Sequence, residues 1–200
     1  AVGAEYVGGD LDSHEEFTTA STAIGDVTDA GPVTRSGATP GDALCVTGEW
    51  GRSAAALRLF ERGDEASVER ANDLFRFVPR VADGVALAGR ATAMMDSSDG
   101  LARSLHQLAA ASEVGFALDR DRPPVHPAVD DVAAGPTDRF ELAAHFGEDF
   151  ELVCAVPEAD LDDARDACPA GLARVGTVVD DADGVTADGD PLADRGYTHG

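Results

Sequence analysis

Residues 93–105 read AMMDSSDGLARSL and place two aspartates, Asp96 and Asp99, around two serines, with a glycine and an apolar helical pattern directly after. Asp and Ser are favoured at helix N-caps, so one of Asp96, Ser98 and Asp99 is expected to cap the helix that follows. Capping needs one such residue, and here four stand in a row. Two carboxylates at this spacing suit Mg²⁺, a hard cation that keeps waters and bridges carboxylates to substrate phosphates. The helix N-terminus and Ser98 suit phosphate oxygens directly. Two further stretches share this logic. In GGD, residues 8–10, Gly9 lets a backbone approach a phosphate while Asp10 offers a metal ligand. In GEDFEL, residues 147–152, Glu148 follows a glycine break. PGD at 40–42 reads as a turn. Arg35, in a Gly- and Ser-rich stretch, is a candidate phosphate partner. None of these is a Walker A loop, and neither an H-E-x-x-H nor a G-x-S-x-G element is present.

These residues need a scaffold, and the pattern predicts one of α+β type. Residues 17–27 are β-branched and read as a strand; ALCVTGEW (43–50) reads as a strand that breaks at Gly48. Residues 51–62 and 64–77 have helical spacing, with Pro79 beyond the second. VADGVALAG is a helix leading through small residues into the aspartate motif. In the helix after that motif, Leu101, Leu105 and Leu108 share one face. A short strand at 116–121, a Pro-rich loop at 122–135, a helix from 136, a strand at 151–157, a capped helix at 158–169 and a strand plus hairpin at 173–192 complete the chain. Strands and helices do not alternate strictly, which favours α+β layers around a mixed sheet. There is no internal repeat.

Composition narrows the partners. The chain carries 38 acidic and 15 basic residues for a net charge of −23, and every basic residue is Arg. Such a surface self-repels and needs screening, which points to a salt-adapted cytoplasmic protein. It argues against nucleic acid or an anionic membrane as partner. A phosphorylated substrate would be repelled too, unless metal ions intervene. Cys45, Cys154 and Cys168 form no C-x-x-C pair and read as structural thiols. AVGAEYVGGD has neither the basic start nor the apolar run of a signal peptide, and it enters without a helix start. It reads as the beginning of a fragment.

GGD, TRSGATPGDALCVTGEWGRSAAAL, MMDSSDGLARSLHQLAAASEVGFAL and GEDFELVCAVP together resemble the thiamine-monophosphate kinase family, in the order and spacing of its C-terminal two thirds. M-D-x-S-D-G-L is the most specific element. Aminoimidazole ribonucleotide synthetase, selenophosphate synthetase and a hydrogenase maturation enzyme share the architecture. The resemblance implies transfer of the γ-phosphate of ATP to thiamine monophosphate, with Mg²⁺ held by aspartates and no protein nucleophile. It implies Asp10, Asp96 and Asp99 as metal ligands, Gly9, Arg35 and Ser98 at the nucleotide, Glu148 on the thiamine side, and Tyr197 stacking on a substrate ring. Gly200 stands where the family carries a further aromatic, and His145 and His199 are left as structural or solvated. Residues 1–30 would end an α+β N-terminal ATP-binding domain, and 31–200 would form an α/β/α layered domain. The rest of the first domain, with its G-D-D motif and substrate His, is expected upstream, and the full-length protein is expected to be a homodimer. The alternatives are another ATP-using synthetase of the superfamily and a non-catalytic nucleotide-binding fragment.

Overall fold

The structure is a computed structural model that describes residues 3–10, 15–27 and 29–196. Its centre is a mixed sheet of seven strands: β1 (Ala43–Thr47), β2 (Ala93–Asp96), β3 (Gly115–Leu118), β4 (Leu152–Val156), β5 (Leu172–Val179), β6 (Val185–Ala187) and β7 (Asp190–Pro191). Their order is β2-β4-β1-β5-β3-β6-β7. Every neighbouring pair is antiparallel except β3 and β6. The β6–β7 hairpin turns through Asp188 and Gly189, both at positive φ, the conformation a tight two-residue hairpin requires.

β1 lies in the middle and is buried throughout, so both of its faces must be apolar. Leu44 and Val46 point to one side with Val153 and Ala155 of β4, and meet Leu101, Leu105 and Leu108 of helix α4 (Leu101–Ser112). Ala43 and Cys45 point to the other side with Cys154 and Val156. There they meet Leu87 of α3 (Val81–Leu87) and Leu161 and Ala164 of α7 (Leu161–Ala167). The domain is therefore layered, helix on sheet on helix, as the resemblance implies. A flanking group of α1 (Arg52–Arg62), α2 (Glu65–Leu74), α5 (Pro127–Asp130) and α6 (Pro136–Ala144) packs through small residues, Ala54, Ala55 and Ala128 among them.

Several sequence expectations change here. Residues 17–27 are not a strand: they carry no regular structure, and Phe17 and Ile24 are exposed. β-Branched composition favours a strand only where a partner edge and a covering face exist. In the sequence β2 reads only as an approach to the motif, yet its four residues pair fully with β4. The Pro-rich loop contains the one-turn α5, with Pro127 at its first position and the His126 ring accepting from Ala128 N–H. The helix expected at 64–77 ends at Leu74. The one expected at 158–169 splits into a 3₁₀ turn and α7, and no side chain caps it.

All three cysteines are free and buried, as expected of structural thiols. Burial pushes the Cys45 and Cys168 thiols up to about 12 and raises Cys154 as well; for Cys168 the hydrogen bond to Asp83 adds to the effect. No helix among the described residues is long and apolar enough to cross a membrane.

The paired arginines sit among a large carboxylate excess, so added cations should relieve the repulsion among those acids. The midpoint of urea unfolding should rise as KCl is increased from about 0.1 M to about 2 M, a range over which the Debye length falls from about 10 Å to below 3 Å. Highest stability at the low-salt end would refute salt adaptation.

Candidate functional site

The two acidic motifs meet at one end of the sheet. The β2–β4 ladder ends with Asp96 opposite Leu152, but the chains stay joined beyond it. Ser97 N–H donates to the Glu151 carbonyl at 2.8 Å, Phe150 N–H to the Ser97 carbonyl at 3.3 Å, and Glu148 N–H to the Ser98 carbonyl at 2.8 Å. Gly147 permits this approach, because a Cβ there would overlap the Ser98 carbonyl oxygen. The loops MDSSDG and GEDFEL are thus one hydrogen-bonded unit.

Within the unit the side chains divide by duty. Ser97 turns inward and accepts from the Ser104 hydroxyl at 2.9 Å. Asp96 and Ser98 are exposed and Asp99 is half-buried. Neither aspartate makes an ion pair or side-chain hydrogen bond among the described residues. The expectation that Asp96, Ser98 or Asp99 caps α4 fails: the N-cap is Gly100, at φ 109°, with no side-chain cap. A glycine turn makes the helix entry without a capping side chain, which leaves all three side chains uncommitted.

GEDFEL splits likewise. Glu148 and Phe150 both sit at positive φ, 66° and 53°, a costly conformation for residues with a Cβ. Those turns send Asp149 inward to cap α1, where its carboxylate accepts from Gly51 N–H at 2.6 Å and Ser53 N–H at 2.9 Å. The Ser53 hydroxyl returns a bond to the Glu148 carbonyl at 2.7 Å. Glu151 is buried and takes a two-pronged contact from Arg80, at 2.6 and 2.7 Å, plus the Thr47 hydroxyl at 2.7 Å. Asp149 and Glu151 are therefore structural, and Glu148 is the half-exposed carboxylate of this loop. Sequence reading missed both roles. The motif shows three acids, and only the backbone turns decide which face inward.

The other predicted residues are placed less closely. Asp42 of PGD is a turn residue, as expected, accepting from Thr39 N–H and the Thr92 hydroxyl. Arg35 lies beside β2: its carbonyl accepts from the Ser112 hydroxyl at the end of α4, and the preceding Thr34 carbonyl accepts from Met94 N–H at 2.8 Å, two residues before Asp96. Gly9 and Asp10 lie in an exposed segment without regular structure. Among the described residues no three acidic, His or Cys side chains converge in a metal-holding group, so Asp10 is not brought together with Asp96 and Asp99. Tyr197 and His199 lie outside the described residues. The chain just before Tyr197 does reach the loop: Gly196 packs so closely on the Asp99 main chain that a Cβ would overlap its carbonyl oxygen. Arg103–Asp194 and Arg195–Glu141 ion pairs tie this tail to α4 and α6, and the His145 ring bonds the Arg195 carbonyl.

The donor set suits a hard divalent cation. Asp96 and Asp99 supply two uncommitted carboxylates, the number Mg²⁺ takes when phosphates and waters complete its shell.

Two outcomes are expected. In Gly147→Ala the new methyl should force the loops apart, so the Glu148 and Phe150 amides should exchange with solvent faster than in the unaltered chain; unchanged protection would show that the loops do not depend on this contact. Burial pushes the Asp149 carboxyl up to about 6, against the Gly51 and Ser53 N–H donors and Arg52. The native state then holds this proton more readily than the unfolded one, so the group favours folding near pH 4 and loses that contribution as pH rises through 6. From a reference value of 3.8 this amounts to about 3 kcal/mol. Urea unfolding across pH 4–7 should show the unaltered chain losing about that much relative to Asp149→Asn; parallel curves would refute the shift.

A sequence profile described as "AIR synthase related protein, C-terminal domain" matches residues 39–188. A thiamine-monophosphate kinase of Halobacterium salinarum is 61% identical over 199 residues, covering 100% of this chain and 66% of the relative. One from Methanospirillum hungatei is 40% identical over 198 residues, covering 98% and 63%. Among solved structures, thiamine-monophosphate kinase from Stenotrophomonas maltophilia matches with TM-score 0.71 and 31% identity, covering 80% of this chain and 54% of that one. A structure described as AaThiL complexed with AMPPCP and TMP matches with TM-score 0.72 and 25% identity, covering 84% and 54%. The chain thus spans just under two thirds of the curated relatives and about half of the solved chains. It belongs to the AIR synthase related family, within which these curated relatives are thiamine-monophosphate kinases.

Proposed function

We propose that the chain is the C-terminal part of an ATP-dependent kinase that converts thiamine monophosphate to thiamine diphosphate by direct phosphoryl transfer. The observation that carries this reading is the joined loop unit, which presents Asp96, Ser98, Asp99 and Glu148 side by side while their neighbours Ser97, Asp149 and Glu151 are spent on structure. A relative solved with an ATP analogue and TMP supports the choice of substrates.

In this reading Asp96 and Asp99 hold Mg²⁺, with Asp10 brought to them by the complete fold. Bound Mg²⁺ would neutralise charge on the two phosphate groups that must meet. Ser98 and Gly9 contact nucleotide, and Arg35, beside β2, contacts an ATP phosphate. Glu148 faces the thiamine side, and Tyr197, next along a tail already anchored on Asp99, stacks on a substrate ring. No side chain serves as nucleophile: the substrate phosphate attacks, and the protein contributes position and charge. Residues 1–30 end the first domain, residues 31–200 form the second, and the full-length protein is a cytoplasmic homodimer.

The test is a kinase assay on the full-length protein in about molar KCl, to screen the surface charge. It contains Mg²⁺, ATP and thiamine monophosphate, and product is read by chromatography. The unaltered enzyme should form thiamine diphosphate, and Asp96→Asn should lower the rate by about 100-fold or more, the scale for losing a group that stabilises transferring charge. No product from folded protein would overturn the reading and direct attention to the acceptors of the synthetases in this family. Equal rates would keep the reaction and remove Asp96 from it.

A further inference from the structure

A second concave site reaches the GEDFEL loop at Glu151. It is a cleft of about 530 Å³, the size of a small-molecule site, lined by Gly48, Glu49, Arg52, Arg80, Pro124, His126, Glu151 and residues 170–173. Its wall is built. Trp50 N–H donates to the Pro124 carbonyl at 2.8 Å and the Trp50 carbonyl accepts from His126 N–H at 2.9 Å, so the 124–126 segment is pinned to the extension of β1.

Of the two arginines that line the cleft, one is paired and one is not. Arg80 is paired with Glu151, and Asp149 is occupied by Gly51 and Ser53 N–H. Arg52 has no carboxylate partner among the described residues, in a chain where acids outnumber bases 38 to 15. Its guanidinium makes one long contact to the Asp149 carbonyl, 3.4 Å, and lies 5.9 Å from the Phe77 ring centre. Burial pulls its pKa below the ordinary value, although Asp149 and Glu151 act the other way. A half-buried guanidinium that has lost water without gaining a carboxylate is suited to an anion. His126 adds a second donor. Its Nδ1 accepts from Ala128 N–H, so the neutral ring carries its proton on Nε2, 3.9 Å from the half-exposed Glu49 at the mouth.

We propose that this cleft binds a small molecule with an anionic head, a phosphate monoester or a carboxylate, held by Arg52 and His126 Nε2–H, with a flat apolar body against Pro124, Leu172 and Ala173. The proposal does not depend on the kinase reading, since none of these residues belongs to the exposed set of the loop unit.

The experiment titrates phenyl phosphate, and separately phenylacetate, into the full-length protein in about molar KCl, where partly buried pairs are screened less than surface ones. Mg²⁺ is left out so that the loop unit does not gather phosphate. The readout is the His126 ring signal in NMR, identified by its loss in His126→Asn. A saturable shift with millimolar probe is expected, weakened by about tenfold or more in Arg52→Gln, retained in Arg52→Lys and unchanged in Asp96→Asn. Response to both probes identifies a general anion site, and response to one identifies its head group. No saturable shift, or equal affinity in Arg52→Gln, would overturn the proposal.

Discussion

The arrangement of the whole site end depends on one close backbone contact, that of Gly147 against the Ser98 carbonyl. The β2–β4 ladder would otherwise stop at Asp96. Because residue 147 has no side chain, the ladder continues as three further main-chain bonds, and two loops that are fifty residues apart in sequence become one surface. Each of these bonds is modest alone, about 1 kcal/mol net. Together they fix register, and register decides which carboxylates face solvent. The positive φ at Glu148 and Phe150 is a cost that the surrounding bonds hold in place, through Asp149 on the α1 N-terminus and Arg80 on Glu151. The strain lies in the same loop that turns Glu148 outward and Asp149 inward.

That division of labour explains why an acid-rich chain can present a defined set of acids. Three carboxylates in or beside the motifs, Asp42, Asp149 and Glu151, are buried and fully engaged with donors. Asp96 and Asp99 are left without such engagement because glycine, not a side chain, makes the entry to α4. An N-cap Asp or Ser would have added only about a few tenths of a kcal/mol over the glycine that stands there. Its absence at the start of a twelve-residue helix is what keeps those oxygens available.

Much of the scaffold was legible in the sequence. β1 is legible as a short apolar run and α4 by Leu101, Leu105 and Leu108 on one face, and the three thiols because their spacing fits no metal or disulfide pattern. The failures have physical causes. β2 is four residues long and includes two methionines, too short to show a period, and only its pairing with β4 makes it a strand. Residues 17–27 have strand composition but no partner strand among the described residues. For the motifs themselves, residue type was legible and direction was not: Glu148, Asp149 and Glu151 are alike as letters, and two backbone turns assign them opposite duties.

The layer between the sheet and α3 and α7 holds Cys45, Cys154 and Cys168, with Cys45 directly across from Cys154 on the neighbouring strand. Burial keeps these thiols protonated at neutral pH and closed to reagents. Alkylation therefore has to wait for that side of the domain to separate from the sheet. The chain thus carries its own clock for opening of one layer, placed on the face away from α4, and the rate at which thiol-reactive reagents enter measures how often the inner helices let go.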